Sequence, residues 1–343
     1  MIDQPGDLPH VTIRDVAQAA GVSIGTVSKA LNGGAIGAET RERIRGVAEA
    51  LNYRPNAMAQ GLHRTRTMTI GLITSDSFGR FTNPIVEALE ARLSALGIGV
   101  FMCIATDDPE REKAHIRQLL GKRVDGIVVT GRRADKRPPI GPLPRGIPVI
   151  YVFAQADDPG AFSLVPDDEG GARAAVAHLA AQGRREIAHV TGPMSFEAVR
   201  LRLRGYGQAL EAASLKQRDD FTLPGDWSEA WGREAIARLF APGRVAPDAI
   251  FCGNDQIARG VSDGLRERGL SVPRDVSIVG FDNWDVMVQA SRPPLSSVDM
   301  NLKAMGHEAG SRLLSAIQGD AQSGVIRMPC TLIVRESSQT QVS

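Results

Sequence analysis

Short β-branched runs alternate with helix-like stretches from Met68 onward, and this alternation restricts the fold more than any other feature. The runs TIGLIT, GVFMCIA, DGIVVT and PVIYV form one series, and EIAHVTG, DAIFCGN and VSIVGFD form a second. Such alternation produces parallel sheets with helices on both faces, and two series produce two lobes. The sequence therefore predicts an α/β core of two doubly wound parallel-sheet lobes.

The first sixty residues have the pattern of three short helices instead. Thr12 and Asp15 have the spacing of a capping box, and Ser23 can cap a second helix after a tight turn. A third helix follows from about Glu39. The buried stripe of the second helix is Val27, Ala30 and Leu31. This pattern favours a helix-turn-helix unit, although periodicity alone fits a small helical bundle with solvated charges equally well.

The positive charge of the chain is concentrated in this N-terminal part. Residues 10–67 carry eight basic and four acidic side chains, a net charge of +4, whereas the rest of the +1 chain sums to −3. A small basic unit on a slightly acidic body is typical of a protein with one end facing a polyanion.

The exposed side of the second helix has the side chains that a DNA-reading helix needs. Ile24 can touch a thymine methyl group, Gly25 allows close approach, and Lys29 can donate to guanine acceptors. The residues expected to hold or position phosphates are Ser23, Thr26, Ser28 and Asn32.

Two stretches, TIRDVAQAAGVSIGTVSKALN and TRERIRGVAEALNYRPNAMAQGL, resemble the start of the LacI/GalR family of bacterial transcription repressors over residues 11–62. The resemblance implies that operator bases are read by Ile24, Gly25 and Lys29. It also implies a hinge helix that inserts Leu62 into the minor groove at the centre of a palindromic operator. In that helix Asn56 would contact phosphate and Ala59 would face the paired hinge or the groove.

Polar residues also follow several predicted strands of the core. Asp76, Asn254 and Asp282 come after strands, and Arg200 is placed in the loop after HVTG. Ligands of such folds bind beyond the carboxyl ends of the strands. Together with the indole of Trp227 these groups suit a carbohydrate site, although each one alone is better explained as a cap or a loop hydrogen bond.

The core resembles the same family's effector-binding core, of the periplasmic-binding-protein type I fold, in GPMSFEAVRLRLRGY, CGNDQIARGV, PRDVSIVGFD and RPPLSSV. By position, the resemblance implies that the hydroxyls of the effector are held by Arg200, Asn254 and Asp282. It implies that Trp227 stacks on the effector. It also implies first-lobe contacts from Asp76, Phe78 and Phe81.

The patterns and the resemblance together predict the organisation of the chain. The helix-turn-helix domain is expected at 10–54 and the hinge and linker at 55–67. The predicted first lobe comprises 68–164 and 299–327, the second 165–298 and 328–337, and disordered tails 1–9 and 338–343. Three crossings between the lobes, near residues 164, 299 and 328, would let effector binding close the lobes and change operator affinity.

Other classes of protein fit the sequence less well. The 343 residues are 43% hydrophobic and contain no GxSxG, P-loop or HExxH motif, so we expect no enzyme, no cofactor and no metal site. No apolar run is long enough for a membrane span, and no signal-peptide layout is present, so the protein is expected in the cytoplasm. The absence of C-terminal leucine heptads favours a homodimer.

The interpretation is a repressor of carbohydrate-metabolism genes, controlled by a sugar or sugar derivative. The alternative is a sugar-binding protein without a DNA role. Such a protein would need a secretion signal and would have no use for residues 11–62.

Overall fold

The structure, a computed structural model, describes residues 11–31, 33–53 and 66–339. The chain divides into two compact units between Thr67 and Met68. Four of the predicted DNA contacts lie outside the described residues: Asn32, Asn56, Ala59 and Leu62.

The described part of the first unit contains three helices, α1 (Ile13–Ala20), α2 (Ile24–Leu31) and α3 (Ala38–Ala50). The predicted capping box is present, with the amide of Thr12 donating to the carboxylate of Asp15 at 2.7 Å. Ser23 caps α2, since its hydroxyl accepts from the amide of Thr26 at 3.1 Å. The position before α3 has no side-chain cap because it is Gly37.

These helices are held together by a small apolar core. Val16, Val27 and Ile44, one from each helix, are completely buried. Helices this short are marginal alone, so burial of these side chains, worth roughly 1.5–3 kcal/mol each, stabilises the unit. The expected helix-turn-helix architecture is confirmed.

The first lobe of the core contains a six-stranded parallel sheet. Its strands are β1 (Thr69–Thr74), β2 (Gly99–Ile104), β3 (Gly126–Thr130), β5 (Val149–Val152), β7 (Phe162–Pro166) and β13 (Gly324–Met328). Their order is β13-β7-β5-β3-β1-β2. The helices of this lobe are α4 (Thr82–Ser94), α5 (Pro109–Gly121) and α11 (Leu302–Ile317), and a small separate sheet pairs β4 (Lys136–Arg137) with β6 (Gln155–Ala156).

Side-chain alternation along the strands explains why helices cover both faces of this sheet. In β3, Val128 packs in the cluster that includes α4 and α11, whereas Ile127 and Val129 pack in the cluster that includes α5. Successive strand residues point to opposite faces, so a strand that is apolar throughout is buried on both sides.

The second lobe repeats this architecture. Its strands are β8 (Ile187–Thr191), β9 (Thr222–Pro224), β10 (Ala249–Cys252), β11 (Ser277–Phe281), β12 (Ser296–Asp299) and β14 (Thr331–Ile333), in the order β14-β12-β11-β10-β8-β9. Only β14 pairs antiparallel among these described strands. Its helices are α6 (Asp168–Ala181), α7 (Glu197–Ala212), α8 (Glu229–Leu239), α9 (Asp255–Glu267) and α10 (Asp285–Ala290). The predicted fold class is confirmed.

Within residues 66–339 the chain passes between the two sheets three times: from β7 to α6, from β12 to α11, and from β13 to β14. The crossings are hydrogen-bonded to each other. The amide of Asp167 donates to the carbonyl of Met328 at 2.8 Å, and the side-chain amide of Asn301 donates to the carbonyl of Pro329 at 2.7 Å. The lobes are therefore joined by one compact hinge.

Among the described residues, none of the helices has the length and apolar content that a membrane crossing requires.

Candidate functional site

The exposed side of α2 is the first candidate site. Ile24 is 43% exposed although it is a large apolar residue, and Gly25 and Lys29 are exposed as well. A Cβ added at Gly25 would meet only the hydroxyl of Ser23, at 3.7 Å, so packing within this unit does not require glycine there. The three residues predicted to read bases therefore share a surface that the core of the unit does not use.

The predicted phosphate contacts lie beside this surface. The hydroxyls of Ser23 and Thr26 are 2.9 Å apart at the N-terminus of α2, and Ser28 is half-buried one turn later. Ser23 is thus both the cap of α2 and a neighbour of its positive end, where backbone amides attract phosphate groups.

The second candidate site is a cavity of about 500 Å³ between the two lobes. It lies beyond the carboxyl ends of strands from both sheets, where ligands of doubly wound folds bind. Six residues predicted for the effector line this cavity: Asp76, Phe78, Phe81, Trp227, Asn254 and Asp282.

Two of these residues also cap helices. The carboxylate of Asp76 accepts from the amides of Gly79, Phe81 and Thr82, at distances from 2.9 to 3.0 Å. The Oδ1 atom of Asn254 accepts from the amide of Ile257 at 2.8 Å, at the start of α9. Their orientations are therefore set by the backbone, and Asn254 has its Nδ2 group left to offer a ligand.

Arg200, the seventh residue predicted for the effector, does not line the cavity. It is exposed, pairs with Glu197 at 2.6 Å and donates to the carbonyls of Met194 and Ser195 at 3.0 Å. The prediction placed Arg200 in a loop, but α7 already begins at Glu197 and turns Arg200 to the solvent side. Arg202 lines the cavity instead, because residues two apart on a helix point in different directions.

A signal in the sequence could have identified Arg202. Val199, Arg202, Tyr206 and Ala209 are all buried, and their spacing of three, four and three residues is the helical repeat. A lone arginine within an apolar helical stripe indicates a buried, partnered charge.

Arg202 is held rigidly in the cavity wall. It pairs with the buried carboxylate of Asp168 at 2.6 Å, donates to the carbonyl of Gly253, and its guanidinium lies 3.6 Å from the ring centroid of Phe281. Burial raises the pKa of Asp168, and the attraction of Arg202 opposes that rise. The second carboxylate near Arg202 is that of Asp282, at 3.7 Å.

Arg80 was not predicted, yet it connects the lobes across the cavity. It comes from the first lobe and forms an ion pair with Asp282 of the second. It also donates to Gln256 at 3.1 Å, and its guanidinium lies 4.3 Å from the ring of Trp284. The two paired side chains are only 13% and 6% exposed, so water screens this pair weakly.

A second contact between the lobes lies near Phe196. The carboxylate of Asp135, in the first lobe, accepts from the amide of Glu197 at 2.8 Å. Phe196 occupies the N-cap position of α7 and gives no side-chain cap, so the first lobe caps this helix of the second. If the lobes opened, the amide of Glu197 would lose its bond to Asp135 and would donate to water instead.

Aromatic rings form the apolar walls of the cavity. Trp227 packs edge-on against Phe196, with ring centroids 5.8 Å apart, and Phe81 stacks on Phe153 at 4.7 Å. A Cβ at Gly192 would lie 2.3 Å from the indole of Trp227, so glycine is needed at that position. Phe78 is 89% exposed at the rim.

A buried acid lies behind Asp282. Asp255 accepts from the hydroxyl of Ser297 at 2.5 Å and from the amide of Trp284 at 2.7 Å. Burial first, and repulsion from Asp282 second, raise the pKa of Asp255 to about 8. The carboxyl is thus largely protonated at neutral pH, and in that state either the carboxyl or the Ser297 hydroxyl can be the donor in their hydrogen bond.

We expect Asp255→Asn to change how stability depends on pH. A carboxyl whose pKa rises on folding stabilises the fold below its unfolded pKa of 3.8, and this contribution disappears as the pH rises through about 8. Asparagine stays neutral and can donate to Ser297 while accepting from Trp284. The unfolding free energy of the variant should therefore rise relative to the original protein between these pH values, by at most ~1.4 kcal/mol per pH unit.

Urea unfolding at several pH values measures this difference. The exposed Asp285→Asn, which makes the same charge change, is the control and should show no such trend. Parallel pH profiles for Asp255→Asn and the original protein would show that Asp255 titrates normally.

The described residues contain no group of three or more His, Cys, Asp or Glu side chains able to hold a metal ion. The cysteines Cys103, Cys252 and Cys330 are free thiols.

Comparisons with known proteins found relatives for both units of the chain. Residues 12–56 match the family described as bacterial regulatory proteins, lacI family, and residues 176–338 match the periplasmic binding protein-like domain. The lactose operon repressor of Escherichia coli (strain K12) is 31% identical over 331 residues, covering 96% of this chain and 91% of that protein.

Solved structures extend the similarity over both units. A crystal structure of the lac repressor dimer bound to operator and the anti-inducer ONPF matches with a TM-score of 0.79 and 30% identity, covering 96% of this chain and 99% of that one. A complex of the transcriptional regulator CelR with cellobiose matches with a TM-score of 0.65 and 29% identity, covering 95% and 99%.

Proposed function

Since this chain belongs to the lacI family of bacterial regulatory proteins and is a DNA-binding transcriptional repressor, we propose that a sugar or sugar derivative bound between its lobes controls its affinity for a palindromic operator. The observation that carries this proposal is the cavity, where Arg202, Asn254 and Asp282 meet beside the indole of Trp227. Planar polar groups can hold adjacent hydroxyls while an aromatic face packs on sugar C–H groups.

The proposed DNA surface consists of Ile24, Gly25 and Lys29 on α2. The exposed isoleucine and a glycine not required by internal packing support it. Ser23, Thr26 and Ser28 would position the helix on phosphates. We also propose that Leu62 enters the minor groove, that Asn56 contacts phosphate and that Ala59 faces the paired hinge or the groove. These three residues lie outside those described.

The proposed coupling uses the hinge between the lobes. An effector that contacts residues of both lobes binds one arrangement of the three crossings more tightly than another. Allostery requires such a difference in affinity between two states. In a homodimer, this change would alter the separation of the two DNA-binding units. The proposed targets are genes of carbohydrate metabolism, and the proposed location is the cytoplasm.

Selection of random duplex DNA on the purified protein tests this function. We expect enrichment of a palindrome with a flexible central step, and we expect a pool of sugars, sugar acids and sugar phosphates to change its affinity. Failure to enrich any sequence would refute specific operator recognition. An enriched operator whose binding no pool changes would refute effector control.

A further inference from the structure

We propose that the effector is a hydroxylated anion, a sugar-like compound with a carboxylate or phosphate that takes the place of Asp282 as the partner of Arg80. This inference rests on the proposed function, because it concerns the effector of the same cavity. It follows from four observations on Arg80 and the charges around it.

First, Arg80 already forms an ion pair with the carboxylate to which an effector hydroxyl would donate. Asp282 lines the cavity and is paired with Arg80, while the guanidinium of Arg202 lies 3.7 Å from its other oxygen. A carboxylate has about four acceptor sites, so a hydroxyl can share Asp282 with Arg80, but a hydroxyl that takes the position of the guanidinium on Oδ2 displaces Arg80.

Second, a displaced Arg80 would lack a counter-charge. Its side chain is 13% exposed and lies between the rings of Phe81 and Trp284, at 4.9 and 4.3 Å. Breaking a buried ion pair by removing one partner is strongly unfavourable. A neutral sugar would incur this cost, whereas an anionic group on the ligand would replace the lost partner.

Third, Arg80 has an unused donor. Its Nε atom is buried and has no hydrogen-bond partner among the described residues. A carboxylate or phosphate can accept from Nε and a terminal nitrogen together, the two-point geometry in which guanidinium groups bind anions most strongly.

Fourth, two further arginines line the cavity, and both are exposed. Arg132 and Arg133 are 59% and 48% exposed, and their charges are offset by Asp107 at 2.9 Å and Asp135 at 3.7 Å. Exposed ion pairs contribute little free energy, so either guanidinium can exchange its carboxylate for an anionic group on the ligand.

The test is calorimetric titration of the full-length protein with matched ligands. The panel contains D-glucose, D-galactose, D-mannose and D-xylose, each beside its aldonate, uronate and terminal phosphate. We expect at least one anion to bind about 10-fold or more tightly than its neutral parent, and the aldonate, uronate and phosphate arms to identify the anionic group.

Arg80→Met should remove this preference, so that the anion loses about 10-fold in affinity while the neutral parent does not. Arg80→Lys should restore part of the preference, which keeps the test usable if Arg80→Met folds poorly. The control is Arg233→Met, which removes a guanidinium paired with Asp263 on the surface of the second lobe.

Three results would overturn the inference. These are neutral sugars binding as tightly as their anions, a preference for anions that survives Arg80→Met, and equal losses for both ligand classes in that variant. A panel in which nothing binds would contradict the proposed function of the cavity, and the inference would fall with it.

Discussion

Arg202→Lys is expected to weaken the response to the effector by about 10- to 100-fold while leaving operator binding intact. Arg202 is buried in the cavity wall, where its guanidinium reaches Asp168 and lies over Phe281. Lysine keeps the charge but loses the planar fork, and a hydrogen bond to a charged group is worth about 1.5–3 kcal/mol. Operator binding measured against increasing amounts of the ligand pool gives the shift.

Arg200→Lys is the matched control, because Arg200 is two residues away in the same helix but exposed. It should respond as the original protein does. If Arg202→Lys unfolds, the double variant Asp168→Asn with Arg202→Met removes both buried charges together and tests the same loss. If Arg200→Lys loses the response to the effector and Arg202→Lys keeps it, then Arg200, and not Arg202, binds the effector.

Lys29→Ala is expected to relax the choice of base at one operator position and to weaken binding to the best operator by about 10- to 100-fold. A side chain with good hydrogen bonds to a guanine edge contributes about 1–3 kcal/mol of discrimination. Lys29 is exposed on α2, so its loss should leave the fold unchanged. Selection of random DNA on the variant, followed by affinity measurements on the enriched sites, measures both effects.

Arg45→Ala makes the same change of charge on the exposed side of α3. This variant should keep the base preferences of the original protein, even where it weakens binding uniformly through lost phosphate attraction. Identical preferences in Lys29→Ala and the original protein would exclude Lys29 from base reading.

The helical unit could be predicted closely because its signals are local. The Thr12 and Asp15 capping box and the Ser23 cap act within a few residues of each helix start. The buried positions Val27 and Ile44 follow from the helical repeat alone.

The general location of the cavity could also be predicted, for a topological reason. Parallel strands all end at the same edge of a sheet, so Asn254 and Asp282, which follow neighbouring strands of the second lobe, must converge. Asp76 follows a strand of the first lobe and joins them because the carboxyl ends of both sheets face the cavity. Which arginine joins them could not be found in this way. Placing Arg200 and Arg202 required the first residue of α7, and helix starts are weakly marked when, as here, Phe196 gives no cap.

The sequence by itself determined the class of fold, the order of the elements and the residue types available to each site, since these depend on periodicity and short-range capping. Only the tertiary structure decided that Arg80 pairs with Asp282, 202 residues away, and that Asp135 of one lobe caps a helix of the other. Such contacts depend on how the two lobes are positioned around their common hinge, and no local preference of the chain specifies that position.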